Sequence, residues 1–330
     1  MTKTQDVVVE MHPFQDIDCV NFTTMSMASN TLTVQSSESI ERFHGNSDLY
    51  EVRFEVTNGS KLIWETNVEF HGSEEQDVNG GALYVGQDSN VLFLNDLMMT
   101  DVGVRSVPEE DSDFATYELS GGCVYTDGYF RVDGAATFTN CKVVGGGESS
   151  PGPGGVLYVG EEGSVLFSGT LEMSAVSIID DEGDDGGGIY NRGKVNIKGN
   201  AKFESIRARD GGALYNTVGA QFNFRDHATA LFIDCTSHDG IGGALYNRGF
   251  FKFSGPALFI EQDAPTIYVS PTGETVLSEN SVFWDNQDTS NPAILVASGG
   301  QVDVPSSVLF IDNIESDCST VYYEEDDTCL

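Results

Sequence analysis

Lysine and arginine are scarce in this sequence, which has 16 of them against 52 aspartates and glutamates and a formal net charge of −36. Nucleic acids and anionic membrane surfaces bind proteins through clusters of basic side chains. The composition therefore excludes both classes of partner from our expectations. It favours high solubility, bound cations or basic partners, and an acidic surface of this kind also suits a salty habitat.

Long apolar runs are absent as well. No stretch approaches the roughly 18 apolar residues of a membrane-spanning helix, so we expect no transmembrane segment. Residues 1–20 lack the charged-then-apolar order of a secretory signal peptide. We therefore expect an N-terminus that is mature, trimmed or intracellular.

Common catalytic signatures are also missing. The sequence contains no HExxH, CxxC, P-loop or GxSxG motif. What it has in quantity is glycine, with 37 residues, and phenylalanine, with 20, and 39% of all residues are hydrophobic. This supply is enough for one long continuous core without a second domain.

A six-residue frame recurs along the chain. GGALYN occupies 211–216 and again 242–247, and further copies begin at Gly80, Gly121, Gly154 and Gly186 and, more loosely, at Asn46, Ala264, Asn291 and Cys318. Successive copies start 22 to 41 residues apart. A period in this range indicates a solenoid, a propeller or another repeat array.

The segments between the copies decide among these architectures. After each frame come two short runs of alternating apolar and polar residues, such as 221–225 and 231–234, and this period of two predicts half-buried strands. Three strands per repeat describe one coil of a three-sided parallel β-helix. The shortest repeat is too short for a propeller blade of about 40 residues.

The GGA-aliphatic-Tyr copies, together with Phe-x-x-Asn at 283–286 and 310–313, resemble the repeats of polymorphic outer membrane proteins, carried on a pectate-lyase-like right-handed β-helix. The resemblance covers roughly 46–330. It implies an all-β protein built as one right-handed β-helix of about nine or ten coils. The bacterial family ends in a membrane β-barrel translocator, and because nothing suitable follows Cys318 we expect no anchoring by that route.

The ends of a solenoid expose its core and need covering. Residues 1–40 do not fit the frame, so we interpret them as an N-terminal cap on a β-helix that spans 41–330. The last coil, with Cys318 and the acidic run 324–327, is expected to cap the other end. Charge at that position discourages end-to-end association through open strand edges.

Alternation along the frame predicts which side chains face the core. The fourth position is always aliphatic and should point inward, which leaves the third position and the tyrosine at the fifth pointing outward. The tyrosines would then stack coil upon coil, either as a strip that binds sugar rings or a partner protein, or as a ladder that stabilises the sheet. The members proposed for the binding strip are Tyr158, Tyr190, Tyr215 and Tyr246.

Asparagine follows the tyrosine on three successive coils, at Asn191, Asn216 and Asn247. Asparagine tolerates the left-handed conformation of turns, and stacked amides can hydrogen-bond from coil to coil. We therefore interpret these residues as structural. The glycine pairs are explained by turn geometry, because glycine adopts a positive φ without steric cost.

Variable loops precede the frame, and the most acidic of them covers 180–185. Calcium needs six to eight oxygen ligands, so this loop is a candidate calcium site, although its spacing does not match an EF-hand and a solvated loop without metal is the alternative. No other cofactor is expected. The candidate metal ligands are Asp180, Asp181, Glu182, Asp184 and Asp185.

Lyases that share the β-helix combine acidic calcium ligands with an arginine or lysine that removes a proton beside a uronic carboxylate. The resemblance therefore implies an alternative catalytic site formed by Arg207, Arg209, His238 and Asp184 on consecutive coils. A groove for an anionic polymer would have to overcome the negative charge of the whole chain.

Six cysteines leave the disulfide connectivity open. Cys141 and Cys235 lie about three coils apart, roughly 14 Å at the strand spacing, which is beyond disulfide reach. Cys318 and Cys329 are close enough in sequence to form a disulfide at the C-terminal end.

Taken together, these features predict a non-catalytic structural, adhesive or scaffolding protein at a surface or outside the cell. We expect it to be monomeric or part of a larger assembly and to bind a protein, a glycan or cations along its loop edge or tyrosine face.

Overall fold

The described part of the chain consists of strands and their connections, and the strands are arranged in three sheets. The computed structural model describes residues 25–28, 31–35, 40–43, 47–50, 53–72, 74–76, 78–105, 119–144, 153–179, 185–238, 240–262, 265–285, 292–312, 320–325 and 328–329. Within these ranges no helix is long and apolar enough to cross a membrane.

The first sheet contains the strand that ends each copy of the six-residue frame from Gly80 onward. The looser copy at Asn46 is not an equivalent of these, because its strand Ser47–Tyr50 belongs to the third sheet. The strands of the first sheet run parallel except at the two ends, where the outermost strand is antiparallel to its neighbour. In spatial order they are Met25–Ala28, Thr31–Gln35, Arg53–Thr57, Leu83–Val85, Val124–Thr126, Leu157–Val159, Ile189–Asn191, Leu214–Asn216, Leu245–Asn247, Ile267–Val269, Ile294–Val296, Val321–Tyr323 and Thr328–Cys329.

The second sheet follows the turn after the frame, and all its strands are parallel. They are Ile40–Phe43, Lys61–Trp64, Asn90–Phe93, Tyr129–Val132, Ser164–Phe167, Lys194–Ile197, Gln221–Phe224, Phe250–Phe253, Glu274–Val276 and Gln301–Asp303.

The third sheet completes each coil, and several coils carry a short additional strand beyond it. The main strands are Ser47–Tyr50, Val68–His71, Leu97–Thr100, Ala136–Thr139, Leu171–Ile179, Ala201–Ala208, Ala230–Ile233, Ala257–Ile260, Val282–Trp284 and Leu309–Ile311. The additional strands are Glu74–Gln76, Gly103–Arg105, Lys142–Val144 and Thr236–Ser237.

Equivalent residues of successive coils pair in register. Tyr215, for example, lies opposite Tyr190 on one side and Tyr246 on the other. Three parallel sheets with this register confirm the predicted all-β parallel β-helix, while its handedness and number of coils stay predictions. Most of the segment 1–40, which was predicted as a cap, lies outside the described residues. Its described strand Thr31–Gln35 pairs in parallel with Arg53–Thr57 of the β-helix.

One continuous apolar core runs between the sheets. The fourth position of the frame is fully buried in it, as at Leu83, Leu214 and Leu245, which confirms the predicted inward direction. The third position was predicted to point outward, and this is wrong, because Ala82 and Ala213 are fully buried as well. The alternation rule applies to extended strands, whereas the third position belongs to the bend before the strand begins.

The two glycines of the frame have different roles, as the copy at 211–212 illustrates. Gly211 has a φ of 59°, in the left-handed region that favours glycine. Gly212 has no such requirement, but a Cβ there would lie 2.2 Å from the carbonyl oxygen of Gly243 on the next coil. Positive φ thus explains the first glycine of the pair, and close approach of neighbouring backbones explains the second.

Candidate functional site

Charged side chains from the predicted lyase site lie near the additional strand Thr236–Ser237. Arg207 pairs with Thr236 in the sheet, and its Nη2 atom lies 2.9 Å from Nδ1 of His238. The Nη2 atom of Arg209 donates to a carboxylate oxygen of Asp185 at 2.9 Å. The structure therefore joins Arg207 to His238 and joins Arg209 to the last residue of the acidic loop.

The rest of the acidic loop is outside the described residues, and so are four of the predicted metal ligands, Asp180, Asp181, Glu182 and Asp184. Where the structure describes the chain, it holds no group of three or more His, Cys, Asp or Glu side chains that could bind a metal ion. The predicted calcium site and the role of Asp184 stay predictions.

The tyrosines of the frame form a continuous column on the outside of the first sheet. Seven rings stack from Tyr84 through Tyr125, Tyr158, Tyr190, Tyr215 and Tyr246 to Tyr268, with centroids 4.6 to 5.5 Å apart. The first six rings are nearly parallel, with interplanar angles of 3° to 16°. Both faces of each inner ring therefore contact neighbouring rings.

Arginine side chains donate hydrogen bonds to two hydroxyl groups of this column. Arg192 donates to the hydroxyl oxygen of Tyr158 at 3.3 Å, and Arg248 donates to that of Tyr215 at 3.5 Å. Tyr158 and Tyr215 are only 8% and 5% exposed. A sugar ring stacks on an aromatic face, and such faces are occupied here, so the predicted glycan or partner strip would have to use ring edges and hydroxyl groups.

Burial of the column changes its acidity. Burial of the phenol, followed by the nearby Asp127 carboxylate, raises the pKa of Tyr125 well above its usual value. Burial also raises the pKa of Tyr190 and Tyr246, in both cases followed by the effect of Tyr215. Tyr125, Tyr190 and Tyr246 therefore stay neutral up to a higher pH than free tyrosine does.

The asparagines of the frame point into the core and form a hydrogen-bonded ladder. Nδ2 of Asn191 donates to Oδ1 of Asn216 at 2.8 Å, and Nδ2 of Asn216 donates to Oδ1 of Asn247 at 2.9 Å. Nδ2 of Asn247 continues the ladder to the hydroxyl oxygen of Thr275 at 2.8 Å. The predicted amide ladder is confirmed, but the three asparagines are not among the described residues with positive φ. Buried amide pairing, rather than a left-handed turn, explains them.

An apolar surface on the third sheet was not predicted from the sequence. Its outward side chains lie in two rows on four consecutive strands, beginning directly after the charged pair of Lys202 and Glu204 on the preceding strand. Trp284, Leu309 and Ile311 are 48%, 53% and 42% exposed. The apolar strip consists of Leu231, Leu258, Val282 and Leu309 in one row and Ile233, Ile260, Trp284 and Ile311 in the other.

A signal for the apolar strip does exist in the sequence. Ala-Leu-Phe-Ile occurs at 230–233 and again at 257–260, and its phenylalanine points inward. In a half-buried strand the residues on either side of that phenylalanine would be polar. An unbroken apolar run therefore indicates apolar side chains on both faces of the sheet.

One disulfide lies inside a coil and joins Cys123 to Cys141, with Cα atoms 5.6 Å apart. Cys235 is a free buried thiol, and burial raises its pKa to about 12. Cys141 and Cys235 are thus not paired with each other, as their predicted separation requires. Cys329 is disulfide-bonded, and since Cys318 lies outside the described residues, pairing of these two stays a prediction.

Compared with known proteins, the chain matches no family model, no curated protein and no solved structure.

Proposed function

We propose that this protein is a non-catalytic β-helical scaffold that binds another protein through the apolar strip of its third sheet. The observation that carries the proposal is the strip itself, where three large side chains are 42% to 53% exposed on a regular parallel sheet. Contiguous apolar patches on soluble proteins mark interaction sites. The strip lies on four paired strands of one sheet, and such a scaffold can bind without rearrangement.

A location at a surface or outside the cell belongs to the same proposal. The disulfide between Cys123 and Cys141 supports it, because such bonds persist in oxidising compartments and are rare in the cytosol. The resemblance of the GGA-aliphatic-Tyr repeats to those of polymorphic outer membrane proteins points the same way. A glycan or cations held at the loop edge would be additional ligands of this scaffold.

A calcium-assisted polysaccharide lyase is the alternative, and the contact between Arg207 and His238 favours it. Against it, Arg209 is directed at Asp185 and lies 3.8 Å from the carboxylate of Asp210. A uronate polymer would approach a chain with a net charge of −36, which repels it.

Capture of partners from surface extracts of the source organism tests the scaffold. The wild type is compared with a double variant, Leu258→Ser with Trp284→Ser, whose side chains lie on the outer face of the strip. We expect the double variant to retain a partner about tenfold more weakly, which corresponds to ~1.4 kcal/mol. A matched control, Thr137→Ser with Thr139→Ser, changes outward positions of the same sheet near the middle of the chain and should capture as the wild type does.

Equal capture by the wild type and the strip variant would contradict binding through the strip. The lyase alternative is checked separately, by adding uronate polymers with calcium and following ultraviolet absorption from unsaturated ends. We expect no product. A product that disappears in Arg207→Ala would overturn the non-catalytic proposal.

A further inference from the structure

At the C-terminal end of the β-helix, the described strands cover one of the three sheets. In the first sheet, Val321–Tyr323 is covered by the antiparallel strand Thr328–Cys329. The second and third sheets end with Gln301–Asp303 and Leu309–Ile311, and in the part of the chain that the structure describes no strand pairs with their outer edges. An unpaired strand edge is a template for another strand.

The backbone groups of the last third-sheet strand, Leu309–Ile311, alternate between the preceding strand and the outer edge. The N–H of Leu309 donates to the carbonyl of Ser281 at 3.0 Å, and the carbonyl of Ile311 accepts from the N–H of Asp285 at 3.0 Å. Both residues therefore bond inward, to the preceding strand. Backbone groups of successive strand residues point to opposite sides, so the N–H and C=O of Phe310 face the open edge.

The apolar strip continues up to this edge. Leu309 and Ile311, the outward residues of the last strand, are its most peripheral members and are 53% and 42% exposed. Phe310 points toward the core but is only partly buried, since no further coil covers it among the described residues. An added strand would thus find backbone groups, an apolar outer face and the end of the core in one place.

Charge at this end of the molecule has one sign. No lysine, arginine or histidine follows Lys252 in the sequence, whereas 14 aspartates and glutamates do. Among these, Asp303, Asp312, Glu324 and Glu325 are exposed on the last strands and the turns beside them. Salt bridges within this part of the chain cannot neutralise them, so a basic partner would be attracted.

We propose that the edge formed by Leu309–Ile311 binds an extended basic segment of a partner protein, which adds a further strand to the third sheet. Main-chain hydrogen bonds to Phe310 would provide affinity, and alternate apolar side chains of the partner would extend the apolar strip, as in other complexes formed by strand addition. This inference rests on the proposed function as a protein-binding scaffold and specifies where and how the partner is held.

A second copy of the chain is the competing occupant. Two C-terminal ends would bring the same acidic groups together, and like charges facing each other across an interface are costly. A heterologous basic strand avoids this repulsion and gains from the field instead. Charge complementarity therefore selects the basic partner over the second copy.

The probe for this inference is a synthetic peptide of about ten residues that alternates lysine with valine. Binding is measured by titration, and hydrogen exchange of the Phe310 amide is followed in the full chain. We expect exchange at Phe310 to slow by about tenfold or more on binding. A peptide that alternates glutamate with valine, and a lysine–valine peptide N-methylated at every second residue on its bonding side, should not bind.

Two variants separate this inference from the proposed function. Leu309→Ser with Ile311→Ser removes the outer face at the edge, where both side chains are exposed, and should abolish peptide binding. Val218→Ser changes an exposed apolar residue outside the strip and should leave peptide binding intact. Binding without slower exchange at Phe310, or no binding at all, overturns strand addition, while the capture experiment still decides whether the strip binds a partner. Concentration-dependent protection of Phe310 in the protein alone would assign the edge to a second copy and overturn the basic partner.

Discussion

Asn216 is the residue on which the interior ladder depends most. Its side chain is fully buried, accepts from Asn191 and donates to both Asn247 and the carbonyl of Phe250. Replacing it with alanine leaves buried partners without their bonds, and each unsatisfied buried polar group costs about 1–3 kcal/mol. We expect Asn216→Ala to lower the free energy of unfolding by about 2–3 kcal/mol, as measured by urea denaturation.

Asn223→Ala is the matched control, because Asn223 lies on the same coil with its side chain half-buried on the outside of the second sheet. Surface substitutions usually change stability by less than about 0.5 kcal/mol. Equal losses in the two variants would contradict a special role for the ladder. A result of this kind would place the stability of the coil in its apolar core alone.

For single residues, the sequence predicted the contacts between residues that recur at one position of the frame. It did not predict contacts between residues at different positions of a coil. The amide ladder could be predicted because asparagine recurs at one position of the frame. The disulfide could not, because pairing of Cys123 with Cys141 requires knowing that a bend residue and a residue after the third sheet meet inside one coil. The third position of the frame was misassigned because strand alternation does not extend into the glycine bend.

The tyrosine column should make the stability of the folded protein depend on pH. Burial raises the pKa of Tyr84, Tyr125, Tyr190, Tyr215 and Tyr246 in the folded protein. Above about pH 10, where unfolded tyrosines ionise, the unfolded state then binds fewer protons than the folded state. Stability is therefore fully present below that pH and falls as the pH rises above it.

Urea denaturation from pH 8 upward checks this sign, with tyrosinate absorbance followed in parallel. Tyr190→Phe is the informative variant, because it keeps the stacked ring and removes one of the shifted groups. We expect a shallower loss of stability with pH in Tyr190→Phe than in the wild type. A loss that begins below pH 9, or one that is identical in both proteins, would show that the column does not control it.

At the scale of elements, the sequence predicted three strands per repeat because apolar residues alternate with a period of two in most of them. The apolar strip on the third sheet escaped this rule. Residues 231–233 and 258–260 are apolar without interruption, so periodicity alone does not identify which of them face outward. Only the register of Leu231 with Leu258 shows that successive coils place such residues in one row.

Over the whole molecule, the net charge of −36 opposes folding, because folding brings like charges closer together than they are in the unfolded chain. The apolar core that runs through the coils must offset this repulsion. The sequence gives the net charge directly, and its repeats predicted the fold. It did not locate the charge relative to the outer edge of Leu309–Ile311, which is known only from the pairing of the described strands.

Salt should therefore stabilise this protein, and calcium should do so further only if the acidic loop binds it. Raising sodium chloride from about 0.01 M to about 1 M shortens the screening length from about 30 Å to about 3 Å. We expect the free energy of unfolding in urea, which is uncharged, to rise across this range. At matched ionic strength, the free energy of unfolding should be higher in calcium chloride than in magnesium chloride. The difference should grow with the concentration of calcium, as expected for a ligand of the folded state.

Asp181→Asn with Asp184→Asn would remove that increment while leaving the response to sodium chloride in place. The matched control is Glu109→Gln with Glu110→Gln, which likewise removes two negative charges, from the acidic run at 109–113 of the sequence. Equal effects of calcium and magnesium in the wild type would assign all of the stabilisation to screening and would leave the loop at 180–185 without a metal. Stability that does not change with sodium chloride would mean that the negative charges are already compensated within the fold.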